Sequence, residues 1–190
     1  AGNLTTEDRV ATPCTLPHPY SPSEATDEEV ILAAYLMADG SMSENATTFA
    51  MSFTQMPGEV LDEFKRVVPV VGGETRRSAN DASSGKAQQW NIRGLRPWAR
   101  ALKLQGKATD KRLPAAWYGL SDKHCALFLS RFWACDGWLE QDRAAVCLAN
   151  RLLVEDIRHL LLRLGITSRV EYKPIGEFTS WRLVVSGGSN

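Results

Sequence analysis

Two stretches of the chain carry apolar residues at helical spacing and then stop at the same dipeptide. In 24–38, Ile31, Leu32, Tyr35 and Leu36 supply the period, Thr26 stands where an N-cap belongs, and Asp27, Glu28 and Glu29 suit the positive end of a helix dipole. Asp39-Gly40 ends that run. An alternating stretch at 46–53, an amphipathic helix at 59–68, strand-like segments at 70–77 and 87–93 and a short helix at 95–104 follow, giving the order α-β-α-β-β-α. Before all this, Pro13, Pro17, Pro19 and Pro22 predict an extended lead-in over residues 1–23.

The order then recurs. A helix at 121–135 ends in Asp136-Gly137, followed by a strand at 144–148, a helix at 153–164 and strand-like segments at 167–172 and 180–185. Asp136 lies 97 positions after Asp39, and at that offset Met51 meets Leu148, Val60 meets Ile157 and Phe64 meets Leu161, apolar on apolar. The pattern predicts an α+β protein of two related units, 24–112 and 113–190.

Composition fits such a fold without adding a class: 44% apolar and 23% charged residues are ordinary for a globular chain. No run approaches the roughly 18 apolar residues a membrane span requires, and no basic-then-apolar leader opens the sequence, so a soluble, cytoplasmic protein with no membrane partner is expected. The four cysteines show no C-x-x-C spacing and do not alternate with His18, His124 and His159 at zinc-ligand intervals, which reads as buried thiols.

Charge does change the picture. Net charge is zero, but residues 1–64 hold one basic and eleven acidic side chains, whereas 65–112 hold twelve basic and three acidic ones. The basic segment is a candidate surface for phosphates, with a solvated face of ordinary lysines as its bland alternative.

A single Asp-Gly after a helix is usually a turn, since glycine takes the left-handed conformation that closes helices. Two matched copies, Leu32-Ala-Ala-Tyr-Leu-Met-Ala-Asp-Gly40 and Leu129-Ser-Arg-Phe-Trp-Ala-Cys-Asp-Gly137, are more specific. They resemble the paired motifs of LAGLIDADG homing endonucleases, although Arg131 stands where the family usually has a small residue and must point outward or pair locally. Lys111-Arg-Leu-Pro114 and Leu160-Leu-Leu-Arg-Leu-Gly-Ile166 are similar to segments of intein endonucleases, and Ala1-Gly-Asn-Leu4 with Glu7-Asp-Arg-Val-Ala-Thr-Pro13 looks like the junction of an intein splicing region with its inserted endonuclease. The chain starts at Ala1 and finishes Ser189-Asn190, without the nucleophile and His-Asn end that splicing needs, so no splicing is expected of it.

The resemblance implies two αββαββα-like repeats whose motif helices pack side by side about a pseudo-twofold axis, with small residues (Ala33, Ala34 and Ala38 against Ser130, Ala134 and Cys135) at the seam. Asp39 and Asp136 then emerge together as catalytic and metal-binding carboxylates. Oxygen ligands suit Mg²⁺, with Mn²⁺ or Ca²⁺ as substitutes, and Cys135 is packing, not a ligand. Lys111 sits at the family's basic position, in an electrostatic or water-orienting role. Its counterpart in the second repeat would fall past residue 190, with Lys173 as a substitute.

Double-stranded DNA is the implied partner, read by the antiparallel strands. Arg76, Arg77, Lys86, Gln88 and Arg93 are candidates in the first repeat, and Arg143, Arg169, Lys173 and Arg182 in the second. The tryptophans Trp90, Trp133, Trp138 and Trp181 read as core. The expectation is therefore a monomeric, metal-dependent, site-specific endonuclease covalently part of an intein. The alternative is a scaffold of the same kind that binds DNA or RNA without cutting, as maturase-like members do.

Overall fold

A computed structural model describes residues 13, 15–17, 23–44, 49–79, 87–175 and 178–185. The elements are α1 (Asp27–Ala38), β1 (Gly40–Glu44), β2 (Phe49–Gln55), α2 (Glu59–Val70), β3 (Glu74–Arg77), β4 (Gln88–Arg93), α3 (Arg96–Ala101), a 3₁₀ turn at Ala115–Gly119, α4 (Asp122–Asp136), β5 (Gly137–Glu140), β6 (Arg143–Leu148), α5 (Arg151–Arg163), β7 (Ser168–Ile175) and β8 (Phe178–Val185). The strands form two antiparallel four-stranded sheets of identical order, β1-β2-β4-β3 and β5-β6-β8-β7. Among the described residues, no helix is long and apolar enough to cross a membrane.

Thr26 caps α1 as its sequence predicts, in a reciprocal box with Glu29. Every residue from Val30 to Met37 is buried, the signature of a helix enclosed on all sides. α4 packs against it but buries only Cys125, Phe128, Leu129 and Phe132. Two of the small residues expected at the seam, Ser130 and Ala134, are exposed, lining a groove shared with Tyr35 of α1 and Glu63 of α2. Arg131 pairs with its neighbour, donating to Ser130 Oγ at 3.0 Å, and its guanidinium also crosses to Glu63 of α2, with N···O distances of 2.7 and 3.0 Å.

The two halves correspond more closely than a single offset suggests. The first hairpin returns from Gly40 to Phe53, the second from Gly137 to Val146, a loop four residues shorter. Past it the spacing is 93, and the buried residues Leu61, Phe64, Val67 and Val68 of α2 fall on Val154, Ile157, Leu160 and Leu161 of α5. The pairings of Met51 with Leu148, Val60 with Ile157 and Phe64 with Leu161 are thereby replaced. Two further differences concern the strands. β1 and β5 begin at the glycines of the Asp-Gly pairs, too short to be read from alternation, and α2 runs through Pro69 to Val70 although proline there removes the bond to the Lys65 carbonyl.

Candidate active site

α1 and α4 deliver Asp39 and Asp136 to one place. Asp39 is the C-cap of α1, and its N–H donates to the Tyr35 carbonyl; Asp136 is the last residue of α4. The two carboxyls are hydrogen-bonded to one another, and each is substantially shielded from water. Burial, and then the charge of Asp39, pushes Asp136 up to about 6. Asp39 is raised too, by burial, against the opposing effects of the Cys135 thiol hydrogen bond, the Lys111 charge and the Gln55 amide. Both carboxyls are thus raised, and a proton held between them titrates as a property of the pair.

Both glycines of the motif pair are there for space. Neither has a positive φ; Gly137 sits at φ −90°, ψ 155°. A Cβ on Gly40 would stand 2.5 Å from the Leu36 backbone, and one on Gly137 would stand 2.2 Å from the Trp133 ring and 2.7 Å from its carbonyl. The left-handed conformation expected at these positions is not used.

Lys111, on the segment between the halves, is 6% exposed, which excludes a solvated surface lysine. Its ammonium donates to the carbonyls of Leu36, Met37 and Gly40 at 3.0, 3.0 and 2.8 Å. These are the carbonyls a helix C-terminus leaves without partners, at the negative end of the α1 dipole. Burial lowers the Lys111 pKa, and the charges of Asp136 and Asp39 oppose that shift. Gln55 completes the group: its amide donates to Asp39 Oδ2 at 3.0 Å. Sequence reading passed over it, yet the parity was visible, since Met51, Phe53 and Gln55 alternate onto the core side and the last of them is polar.

The donors present fit a hard divalent cation. Two oxygen ligands crowd together with their charge poorly compensated, which a cation would relieve. The Cys135 thiol, pushed up to about 12 by burial and by the two aspartates, stays protonated and offers no soft ligand. Among the described residues no group of three or more His, Cys, Asp or Glu is arranged to hold a metal ion, so remaining positions on such an ion would fall to carbonyls, water or a substrate phosphate.

Because β1 starts at Gly40 and β5 at Gly137, both sheets spring from the aspartate pair. Cross-strand register sorts their faces. In the first sheet Met42, Met51, Phe53 and Ile92 enter the core, leaving Ser41, Ser43, Ser52, Thr54, Gln89, Asn91, Arg93 and Arg76 on the outer side. Arg77 pairs with Trp90, and Gln88 accepts from the Trp90 indole; both belong to the helix side, so the outer face does not gather all the candidates named for this sheet. Lys86 lies outside the described residues. In the second sheet Arg143, Arg169, Lys173 and Arg182 all fall on the outer side, opposite core residues Val146 and Leu183. There Arg182 is paired with Glu140 and Glu171, and Arg169 with Glu171.

The basic run of 65–112 is not one surface. Arg66 pairs with Glu63, Arg96 and Arg100 with Glu44, and Arg112 with Asp156, while Lys65 lies over Trp90 and Lys111 is buried. Of the tryptophans, Trp90, Trp133 and Trp181 pack against the core. Trp138 does not: it is 37% exposed on the outer side of the second sheet, beneath Arg182.

Residues 123–190 match the LAGLIDADG-like domain family. The whole fold, two antiparallel four-stranded sheets flanking paired helices, is that of LAGLIDADG homing endonucleases. The structure of I-DmoI in complex with DNA and Mn superposes with a TM-score of 0.61, covering 84% of this chain and 89% of that one at 11% identity; the same protein is also known with DNA and Ca. The N-terminal LAGLIDADG domain of DUF199/WhiA superposes with a TM-score of 0.52 over 86% of this chain and 78% of that one, at 9% identity.

Two curated sequences are also similar. A replicative DNA helicase DnaB of Rhodothermus marinus is 28% identical over 90% of this chain and 20% of its own length. A replication factor C small subunit of Thermococcus kodakarensis is 25% identical over 100% of this chain and 21% of its own. The chain thus spans about one fifth of the curated relatives it matches.

Proposed function

We propose that the chain is a site-specific DNA endonuclease that makes a double-strand break with the help of Mg²⁺ or a similar divalent ion. One observation carries this: Asp39 and Asp136, from helices 97 residues apart in sequence, meet carboxyl to carboxyl at the point where two polar sheet faces begin.

Asp39 and Asp136 hold the metal, which when bound neutralises phosphate charge and supplies an activated water. Gln55 orients Asp39. Lys111 places a positive charge behind both carboxylates and favours their ionised, ligating forms. Arg76, Arg93, Gln89 and Asn91 on one sheet and Arg143, Arg169, Lys173 and Arg182 on the other contact a long duplex, phosphates for position and base edges for sequence. One polypeptide supplies both halves, so a monomer on an asymmetric site suffices, in the cytoplasm where DNA is accessible.

Two replication proteins of different description each carry a segment like this chain as a fifth of their length, which is what an inserted element produces. This supports reading the chain as the endonuclease part of an intein, with the homing of that intein as its biological use. Residues 1–12, which resemble the splicing junction, lie outside the described residues.

The test is selection of a cleaved site from a plasmid library in Mg²⁺, repeated with Asp39→Asn and Asp136→Asn. Loss of cleavage with DNA binding retained supports the assignment, and cleavage surviving both substitutions refutes it. A wild type that binds DNA or structured RNA yet never cuts would favour the non-cleaving alternative.

A further inference from the structure

Lys111 belongs to the first half by its contacts, but the second half sets its position. Its carbonyl accepts from the side-chain amide of Asn150, the N-cap of α5. Arg112, the next residue, forms a two-pronged pair with Asp156, at 2.7 Å from Nε and 2.8 Å from Nη2. The Leu113 N–H donates to Asp156 Oδ2 at 2.9 Å, and the Tyr118 hydroxyl donates to Oδ1. Asp156 is 2% exposed and lies mid-helix in α5, so the backbone bond of Lys111 and the bonds of Arg112 and Leu113 run to one rigid element and its N-cap. With its backbone held on both sides, the Lys111 side chain reaches the end of α1.

The arrangement has a counterpart. At the 93-residue spacing that relates α2 to α5, Asp156 corresponds to Glu63, whose carboxylate takes the Arg131 guanidinium and, at 2.6 Å, the Tyr35 hydroxyl. Each second helix thus presents one shielded carboxylate to an arginine and a tyrosine. Glu63 holds α4, which carries Asp136, and Asp156 holds the linker that carries Lys111. This places the unusual Arg131 and the arginine of Lys-Arg-Leu-Pro in equivalent roles.

We propose that Asp156 is a positioning residue for the active site, acting through Arg112 and the Leu113 amide to seat the Lys111 ammonium beneath Asp39 and Asp136. Its own bonds run to Arg112, Leu113 and Tyr118, not to either carboxylate. The inference rests on the nuclease reading only for its effect on cleavage.

Lysine-labelled full-length protein gives the deciding measurement, the ¹⁵N ammonium resonance of Lys111, assigned by its loss in Lys111→Met. Seated among carbonyls it exchanges slowly with water and stands apart from the exposed lysines. In Asp156→Asn, and in Arg112→Ala should the first variant not fold, that resonance joins the fast-exchanging lysines while thermal unfolding stays cooperative. Glu63→Gln, a lesion of the same chemistry at the equivalent position, leaves it in place. A Lys111 resonance unmoved by Asp156→Asn or Arg112→Ala, or moved equally by Glu63→Gln, overturns the proposal. On a selected plasmid target, Asp156→Asn should slow cleavage while binding measured in Ca²⁺ is retained, because the ammonium behind both carboxylates is displaced; cleavage at the wild-type rate counts against it. If the wild type cuts no DNA, the nuclease reading fails while the resonance still decides the role of Asp156.

Discussion

Asp39 and Asp136 share a hydrogen bond across the tips of two helices, where burial disfavours their charges while Lys111 and, for Asp39, Gln55 oppose that effect. The raised pKa has a definite sign in linkage: the folded state binds the shared proton more tightly than the unfolded chain. The corresponding stability is complete below the ordinary aspartate range and is lost as pH rises through about 6. Asp136→Asn keeps a donor and removes the charge. It should melt higher than wild type at pH 7.5, by about 1 kcal/mol once partial solvent screening is allowed for, with the gap closing toward pH 4.5. Melts at the two pH values, without divalent metal, check it; an equal or lower melting temperature at pH 7.5 contradicts the carboxyl contact.

Cleavage should run the other way. Metal binding requires both carboxylates ionised, so activity falls as pH drops through about 6, where Asp136 takes up its proton. Raising the concentration of Mg²⁺ should move the midpoint to lower pH by competition with that proton. A midpoint indifferent to metal concentration would separate the titration from the ligand site.

Lys111→Met removes the cation from the α1 carbonyls and from behind the aspartates together. Loss of these charge-assisted bonds in a buried setting should cost about 1.5–3 kcal/mol of stability, and cleavage should fall by about 10²–10³, as for loss of one preorganised electrostatic group. Denaturant melts and single-turnover cutting measure the two effects; DNA binding measured in Ca²⁺ should change little.

Much of this was legible in the chain. Thr26 capping Glu29, the buried run from Val30 to Met37 and the two Asp-Gly ends are local patterns, and local patterns survive folding. Asp39, Asp136 and Lys111 were legible because a motif spacing fixes where helix tips meet. What the sequence concealed depends on register and on distance through space. Strand parity puts Arg77 and Gln88 on the helix side and Gln89 and Asn91 on the outer side, and because a one-residue change of pairing exchanges the faces, sequence alone left that choice open. The partners of Arg112 and Arg131 are separated from them by 44 and 68 residues, and no periodicity announces such pairs. The four-residue difference between the hairpins hid the better correspondence of α2 with α5.

The motif glycines separate two physical accounts. Were a left-handed backbone the requirement, asparagine would be tolerated at Gly40. Close approach to the Leu36 backbone at 2.5 Å predicts instead that Gly40→Ala and Gly40→Asn both fail, each costing roughly 1–3 kcal/mol as the hairpin is forced off the helix. Gly72, with φ 97° and nothing near its Cβ position, is the contrast: asparagine should be tolerated there better than alanine. Thermal melts of the four variants decide between the accounts.

The face assignment of the first sheet is tested by the same logic one residue apart. Asn91 stands on the outer side between Ser52 and Arg76, while Gln88 is engaged with Trp90 on the helix side. Amide side chains suit adenine edges in the major groove, and a good pair discriminates by about 1–3 kcal/mol. Asn91→Ala should therefore relax the sequence preference at one or two adjacent positions of a selected target without altering the salt dependence of binding. Arg76→Ala and Arg93→Ala should weaken binding to all sequences and flatten that dependence, since they act on phosphates. Gln88→Ala should leave specificity unchanged and show only in stability. Should Gln88→Ala relax specificity while Asn91→Ala does not, the opposite face of the sheet meets the DNA and the reading direction assigned to both sheets is reversed.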